Sequence, residues 1–273
     1  MLYQETMTSD EHGAPPVLLF EQEGAVARLT LNRPRAANAI DMTLARALML
    51  AAIRCDEDDS IRCVLLTGTG RFFCAGGDIR DFVGAGADIG SLLKEMTAYF
   101  HMAIARFARM DKPLITAVNG VAAGAGFSLA LWGDIALAAR SAQFTSAYSG
   151  LGLSSDGGLS WLLPRLAGLR RAQELILTNQ TLGAEAAVAV GLLTRMVDDS
   201  SLADESLRLA SELAAGPTKA YGRLRNLLLR NSESSLESHL EAESQALAQS
   251  SHTAHGREGV AAFAARRKPD FSR

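Results

Sequence analysis

IRCVLLTG (61–68) leads into RFFCAGGDIR (71–80), and LITAVNG (114–120) leads into NGVAAGAGFSLALWGD (119–134); these two stretches decide how the chain is read. Each opens on a near-continuous apolar run closed by glycine, the pattern of a strand buried on both faces. Each then passes through small residues to the start of a helix. Small residues let a ligand approach the backbone closely. The N–H groups at such a turn are unsatisfied donors, reinforced by the helix dipole. Two such turns facing one point make an oxyanion hole for a carbonyl oxygen that gains charge. Either turn taken alone is equally well explained by tight packing.

Working outward, residues 17–31 alternate as VLLFEQ and AVARLTL around Gly24 and read as a hairpin. A helix is expected from Asp41 to about Cys55, with Asp41 as N-cap and Leu44, Leu48 and Ala51 on one face. Further helices are expected at 91–109 and 126–132, and a strand at DIALAA (134–139). From about 157 onward the pattern turns helical: 168–178, 183–190, 202–214, 217–230, 233–250 and 256–266. Strands interleaved with helices, followed by a helical tail, imply an α/β core with an α-helical C-terminal region. The division expected is a disordered leader (1–16), a core (17–200) and the helical region (201–273), with no linker between the last two.

With 273 residues and 48% apolar composition, the chain can bury a sizeable core. The formal charge of −3 argues against a basic nucleic-acid footprint, though not against a local pocket for a phosphorylated ligand. Cys55, Cys63 and Cys74 form no CxxC pair and no zinc-ligand cluster, which fits a reducing compartment and no metal. No apolar run approaches the roughly 20 residues of a membrane span. The polar, acidic start lacks signal- and transit-peptide character, so a cytoplasmic location is expected. Phosphate-loop, dinucleotide-binding and nucleophile-elbow motifs are missing. The five histidines, His12, His101, His239, His252 and His255, fall in the leader or on expected helices, away from the glycine turns, and read as surface or packing residues.

The paired turns resemble the crotonase (enoyl-CoA hydratase/isomerase) superfamily, and the likeness spans nearly all of the chain after the leader. LNRPRAANAI (31–40), FCAGGDI (73–79), AVNGVAAGAG (117–126), DGGLSWLLPRLAG (156–168) and EGVAAFAARRKPDF (258–271) follow one another in that family's order. The resemblance implies a spiral of ββα units with a helical C-terminal region that serves oligomerisation and covers the active site, assembled as a trimer or a dimer of trimers. It implies an acyl-CoA thioester substrate, with coenzyme A entering as part of the substrate and no separate cofactor. The oxyanion donors it implies are the backbone N–H groups of Gly77 and Ala125. Alanine at 125 departs from the family's usual glycine, but an N–H is still present. Coenzyme A binding is implied near Ala39, Ala75, Asp78 and Ile79, with Arg35 and Arg80 towards the phosphates and Arg266 reaching in from a neighbouring subunit.

Hydratases of that superfamily carry two glutamates, and here Ser128 and Tyr148 stand at those positions. No glutamate occurs between Glu95 and Glu174, and the aspartates in that interval are Asp111, Asp134 and Asp156. Asp111 reads as a surface residue and Asp134 as structural. Asp156, in GLSSDGG, resembles the acid of dienoyl-CoA isomerases and of ring-epoxide isomerases acting on phenylacetyl-CoA derivatives; a helix N-cap is its bland alternative. Hydration needs a group to activate water and a proton source, work that two carboxylates normally share, whereas moving a double bond needs one base. The expected function is therefore acyl-CoA isomerisation, with Asp156 as proton shuttle and Ser128 and Tyr148 auxiliary. Enoyl-CoA hydration is the alternative, and a non-catalytic acyl-CoA or RNA binder of the same fold is the second. The segment FVGAGADIG (82–90), in the specificity region, reads as a mobile loop.

Overall fold

The computed structural model describes residues 15–272. The leader expected over 1–16 falls almost wholly outside them; at its end, the Pro16 carbonyl accepts from Asn32 Nδ2 at 2.9 Å. The chain runs through β1 (Leu18–Glu23), β2 (Val26–Leu31), α1 (Met42–Glu57), β3 (Cys63–Gly68), β4 (Phe72–Cys74), α2 (Ile79–Ala85) and α3 (Ile89–Arg109). It continues with β5 (Leu114–Val118), β6 (Val121–Ala123), α4 (Ala125–Leu131), β7 (Ile135–Ala139), β8 (Gln143–Thr145), α5 (Leu159–Ala167) and α6 (Leu169–Thr178). Last come β9 (Leu182–Gly183), α7 (Ala184–Ala189), β10 (Arg195–Val197), α8 (Leu202–Ala214), α9 (Thr218–Arg230), α10 (Leu236–Ser251) and α11 (Ala254–Ala264).

Three times the chain lays a strand in a six-stranded sheet, turns, lays a short strand in a four-stranded sheet, and leaves by a helix. The units are β3–β4–α2, β5–β6–α4 and β7–β8–α5, and the sheet orders are β1-β2-β3-β5-β7-β10 and β4-β6-β8-β9. This is the α/β spiral of ββα units that the resemblance implied. In the larger sheet every pairing from β2 to β10 is parallel, with β1 closing one edge as the antiparallel hairpin partner of β2.

The period-2 alternation of strands explains the continuous apolar run in β3. Val64 and Leu66 enter the main core, beneath α1 and α3, while Cys63 and Leu65 enter a second core beneath α8. α1 starts where expected because the Asp41 carboxylate accepts from the Leu44 amide at 2.8 Å. α3 buries Met96, Phe100, Ala103, Ile104 and Phe107, spaced at three and four residues on one stripe. α8 seats Leu202, Ala210 and Ala214 in the second core, so the helical C-terminal region begins packed on the sheet. No helix among the described residues is long and apolar enough to cross a membrane.

Two expectations are corrected. The chain beyond 157 is not uniformly helical, because β9 pairs with β8 and β10 adds a sixth strand beside β7. At two and three residues these strands are too short to show a period. The second sheet is likewise built from segments of three residues or fewer, which no alternation marks. The expected mobile loop within 82–90 is instead the end of α2, a single 3-10 turn and the start of α3. The Asp78 carboxylate accepts from the Arg80 amide and so caps α2, which lets the glycine-rich stretch continue as helix.

Candidate active site

The two glycine turns meet backbone to backbone. Gly76 has φ +98°, and a Cβ there would lie 2.9 Å from the Ala123 carbonyl oxygen and 3.5 Å from the Ala125 amide nitrogen. A Cβ at Gly126 would lie 2.1 Å from the Cys74 oxygen, so α4 rests directly on β4 only because that residue is glycine.

A one-residue parallel bridge fixes the first turn. The Ile40 amide donates to Gly76 O at 2.7 Å and the Asp78 amide to Ile40 O at 2.9 Å, and the Gly77 N–H between them takes no part. Arg33 locks that bridge in place. Its Nη2 lies 2.8 Å from Asp41 and 3.1 Å from Asp78, and its Nη1 donates to the Ala39 carbonyl. The Asp78 carboxyl is held down to about 2, chiefly by the Arg80 side chain that donates to it. In the second turn Gly124 (φ +52°) donates its amide to Thr145 O at 3.1 Å. Ala125 is the first residue of α4, where an N–H has no intrahelical acceptor.

Gly77 and Ala125 line one cavity of about 670 Å³ together with Tyr148 and Asp156. Its wall is largely apolar, from Ile79, Phe82, Leu93, Met96, Leu151 and Leu153. Asp156 is the one carboxylate lining it among the described residues. The Asp156 Oδ1 accepts from the Tyr148 hydroxyl at 2.5 Å, and the Tyr148 and Ser128 hydroxyls are 3.3 Å apart. Ser128 Oγ donates to the Asp156 carbonyl at 2.9 Å. The two hydroxyls thus grip the aspartate, Tyr148 at its carboxylate and Ser128 at its backbone carbonyl. Burial pushes the Asp156 carboxyl above its ordinary range and outweighs the Tyr148 hydrogen bond and the His101 ring, both of which pull it down. Burial also pushes the Tyr148 phenol up, so it stays a donor. The three thiols are pushed up to about 12 by burial, which leaves no thiolate for nucleophilic chemistry. A carboxyl of raised pKa beside two unused amides, in an apolar chamber, can carry a proton to and from a carbon whose neighbouring carbonyl is held as an oxyanion.

The fold thus gathers Gly77, Ala125, Ser128, Tyr148 and Asp156 at one place, with Ala75 and Ile79 also in the cavity wall. Ala39 is buried beside it and is tied to Arg33. Asp78 is only 4% exposed and spends its carboxylate on Arg33 and Arg80, away from the cavity lining. Arg80 is exposed and paired with Asp78, Arg35 is exposed on a single 3-10 turn, and Arg266 is exposed beyond α11; none of the three lines this cavity. Asp134 accepts from the Leu114 amide and pairs with Arg225, a structural role as read. Among the described residues no cluster of His, Cys, Asp or Glu could hold a metal ion.

Sequence reasoning missed two residues. His101, read as remote from the turns, lines the cavity, and its Nε2 accepts the Gly157 amide at 3.0 Å. Trp132 donates its indole N–H to Gly157 O at 2.7 Å. The only signal for His101 was its spacing: it follows Thr97, which also lines the cavity, by one helical turn. Nothing in the sequence says that this face of α3 meets the turn at 155–158.

Residues 21–273 match the family described as Enoyl-CoA hydratase/isomerase. The chain is 42% identical to an Escherichia coli 1,2-epoxyphenylacetyl-CoA isomerase over 93% of this chain and 98% of that protein. It is 34% identical to an Arthrobacter 4-chlorobenzoyl coenzyme A dehalogenase over 93% of this chain and 91% of that protein. A solved structure of an enoyl-CoA hydratase from Polaromonas sp. superposes with a TM-score of 0.88 at 33% identity, covering 93% of this chain and 98% of that one.

Proposed function

The chain belongs to the enoyl-CoA hydratase/isomerase family, and from that premise we propose that it isomerises the acyl group of a CoA thioester, moving a carbon–carbon double bond or opening a ring epoxide. The thioester oxygen accepts from the Gly77 and Ala125 amides. The Asp156 carboxylate removes a proton from the α-carbon, and the electron pair left behind delocalises onto that oxygen as an enolate. Asp156 then returns the proton at a carbon further along, so product and substrate have the same composition. A raised carboxyl pKa narrows the gap between Asp156 and the carbon acid and eases both transfers. Arg35 and Arg80 face the coenzyme A phosphates, the backbone at Ala39 and Ala75 receives the adenine, and Arg266 reaches the site of a neighbouring subunit in a trimer or dimer of trimers.

The observation that carries this reading is the one carboxylate lining the cavity among the described residues, bonded by the Tyr148 hydroxyl, with the Ser128 hydroxyl on the same residue's backbone carbonyl, where a hydratase would need acids at both positions. The likeness to the epoxyphenylacetyl-CoA isomerase supports it further. Hydration is the second reading. It is favoured by the likeness to the Polaromonas enzyme and by hydroxyls able to orient a water. The test offers the purified chain crotonyl-CoA, a 3-enoyl-CoA and the ring epoxide of phenylacetyl-CoA separately in deuterated solvent, with products read by mass spectrometry and NMR. Isomerisation of the 3-enoyl or epoxide substrate without gain of water is the expected result. Gain of one water by crotonyl-CoA, without isomerisation of the others, overturns it in favour of hydration.

A further inference from the structure

We propose that His101 is a positioning residue for Asp156: a neutral imidazole whose unprotonated Nε2 anchors the Gly157 amide and so holds the turn that carries the carboxylate. A backbone amide only donates, so the ring nitrogen 3.0 Å from Gly157 N must present a lone pair. The ring proton is therefore on Nδ1.

The turn at 156–158 is gripped from three sides. Ser128 Oγ donates to Asp156 O, Trp132 Nε1 donates to Gly157 O, and His101 receives Gly157 N. Gly157 and Gly158 both have positive φ, at +58° and +79°, so the turn relies on these contacts for its shape. Of the three grips, only that of His101 can be released by a proton. An imidazolium would set N–H against N–H at Gly157, and its charge beside Asp156 would make the carboxylate a weaker base.

The ring lies where solvent can reach it. His101 is exposed, and together with Ser155 and Asp156 it lines both the acyl cavity and a second cleft of about 700 Å³ on the side of α9. Asp156 faces the ring from the turn, with Tyr148 behind it. Lys94 and Arg109 of its own helix, and Arg230 and Glu233 from α9 and just beyond it, line the two cavities around it. A proton on Nε2 would therefore loosen the turn and weaken the base, without touching the oxyanion amides.

The kinetic arm of the test rests on the proton transfer proposed for Asp156; the spectroscopic arm does not. In full-length chain labelled with 15N-histidine at pH 7.5, with His101→Gln used to assign the resonance, His101 is expected as a neutral ring protonated on Nδ1. A ring protonated on Nε2, or an imidazolium at that pH, overturns the proposal even if no thioester is turned over. In the kinetic arm, Gln keeps an acceptor for Gly157 but does not titrate, and Leu fills the space without an acceptor. His101→Leu is expected to lose roughly 10–100-fold in kcat with little change in KM, the cost of a misplaced catalytic group. His101→Gln is expected within about threefold of wild type at pH 8 and to lose less of its kcat than wild type on acidification. The proposal fails if Gln is as damaging as Leu, if Leu is harmless, or if the Gln variant declines with acid as wild type does. Should the Leu variant not fold, the Gln pH profile and the ring tautomer still decide the matter.

Discussion

Replacing Asp156 with Asn separates chemistry from architecture at this site. Asparagine has the same shape, and its carbonyl oxygen can still accept from the Tyr148 hydroxyl now 2.5 Å away. The Ser128 bond goes to the backbone oxygen and is untouched. What disappears is the ability to take up and release a proton, and a positioned acid–base group is worth about 10²–10⁴-fold in rate. Turnover should therefore fall by at least roughly 10²-fold while CoA-thioester binding is kept. Stability should move the other way. Burial raises the Asp156 carboxyl above its ordinary range. Between the ordinary and the raised value, the native chain holds a proton that the unfolded chain releases, so stability falls as pH rises through that window. Above it the deficit is complete, and Asn does not carry it. The variant should melt at or above wild type at pH 8, with the advantage shrinking towards pH 4. Product formation by liquid chromatography, thioester binding by calorimetry and melting by calorimetry at the two pH values test each part. Turnover within tenfold of wild type refutes the proton role; a lower melting temperature than wild type at pH 8 refutes the claim that burial dominates at this carboxylate.

Gly76→Ala forces an alanine to φ +98° with its Cβ against the Ala123 oxygen. It should cost about 1–3 kcal/mol of stability and, by moving the two amides apart, up to roughly 10²–10³ in kcat, read by melting and steady-state kinetics. Tyr148→Phe removes a donor that holds the Asp156 carboxyl down. Because that carboxyl then rises further, the acid limb of the kcat–pH profile should move to higher pH; an unmoved limb would show that the bond does not act on the base. Arg33→Gln strands the buried Asp78 carboxylate, whose other cation, Arg80, is largely exposed. A loss of about 3 kcal/mol is expected from denaturant titration, and a loss under 1 kcal/mol would mean that Arg80 alone suffices.

Much of the fold was legible because its largest signals are local. The hairpin around Gly24, the Asp41-capped helix and the continuous apolar strands are set by neighbours in sequence, and each appears within a few residues of its expected place. The second sheet was not legible. Its strands hold two or three residues each, fewer than one cycle of any diagnostic pattern, and they exist because the larger sheet brings β4, β6, β8 and β9 side by side. The loop expected within 82–90 failed for a related reason. The glycines there lower helix propensity, but the Asp78 cap and the packing of α2 against the cavity outweigh it.

At the site the same division holds. The glycine turns could be read from the residues themselves; the Ala125 departure, Asp156 and the hydroxyls at 128 and 148 came only from the resemblance that the chain's motifs carry, taken position by position. Where the acid points, which hydroxyls hold it, and that His101 and Trp132 grip the turn beneath it depend on contacts between residues 8 to 56 positions apart. Those contacts arise only when α3, α4 and the turn at 155–158 converge. Burial, which sets the proton affinity of Asp156, is likewise a property of the assembled chamber. Sequence alone determined which groups are available; tertiary packing decided which of them meet and how strongly one carboxyl holds its proton, because desolvation and hydrogen-bond geometry exist only between parts of the chain already brought together.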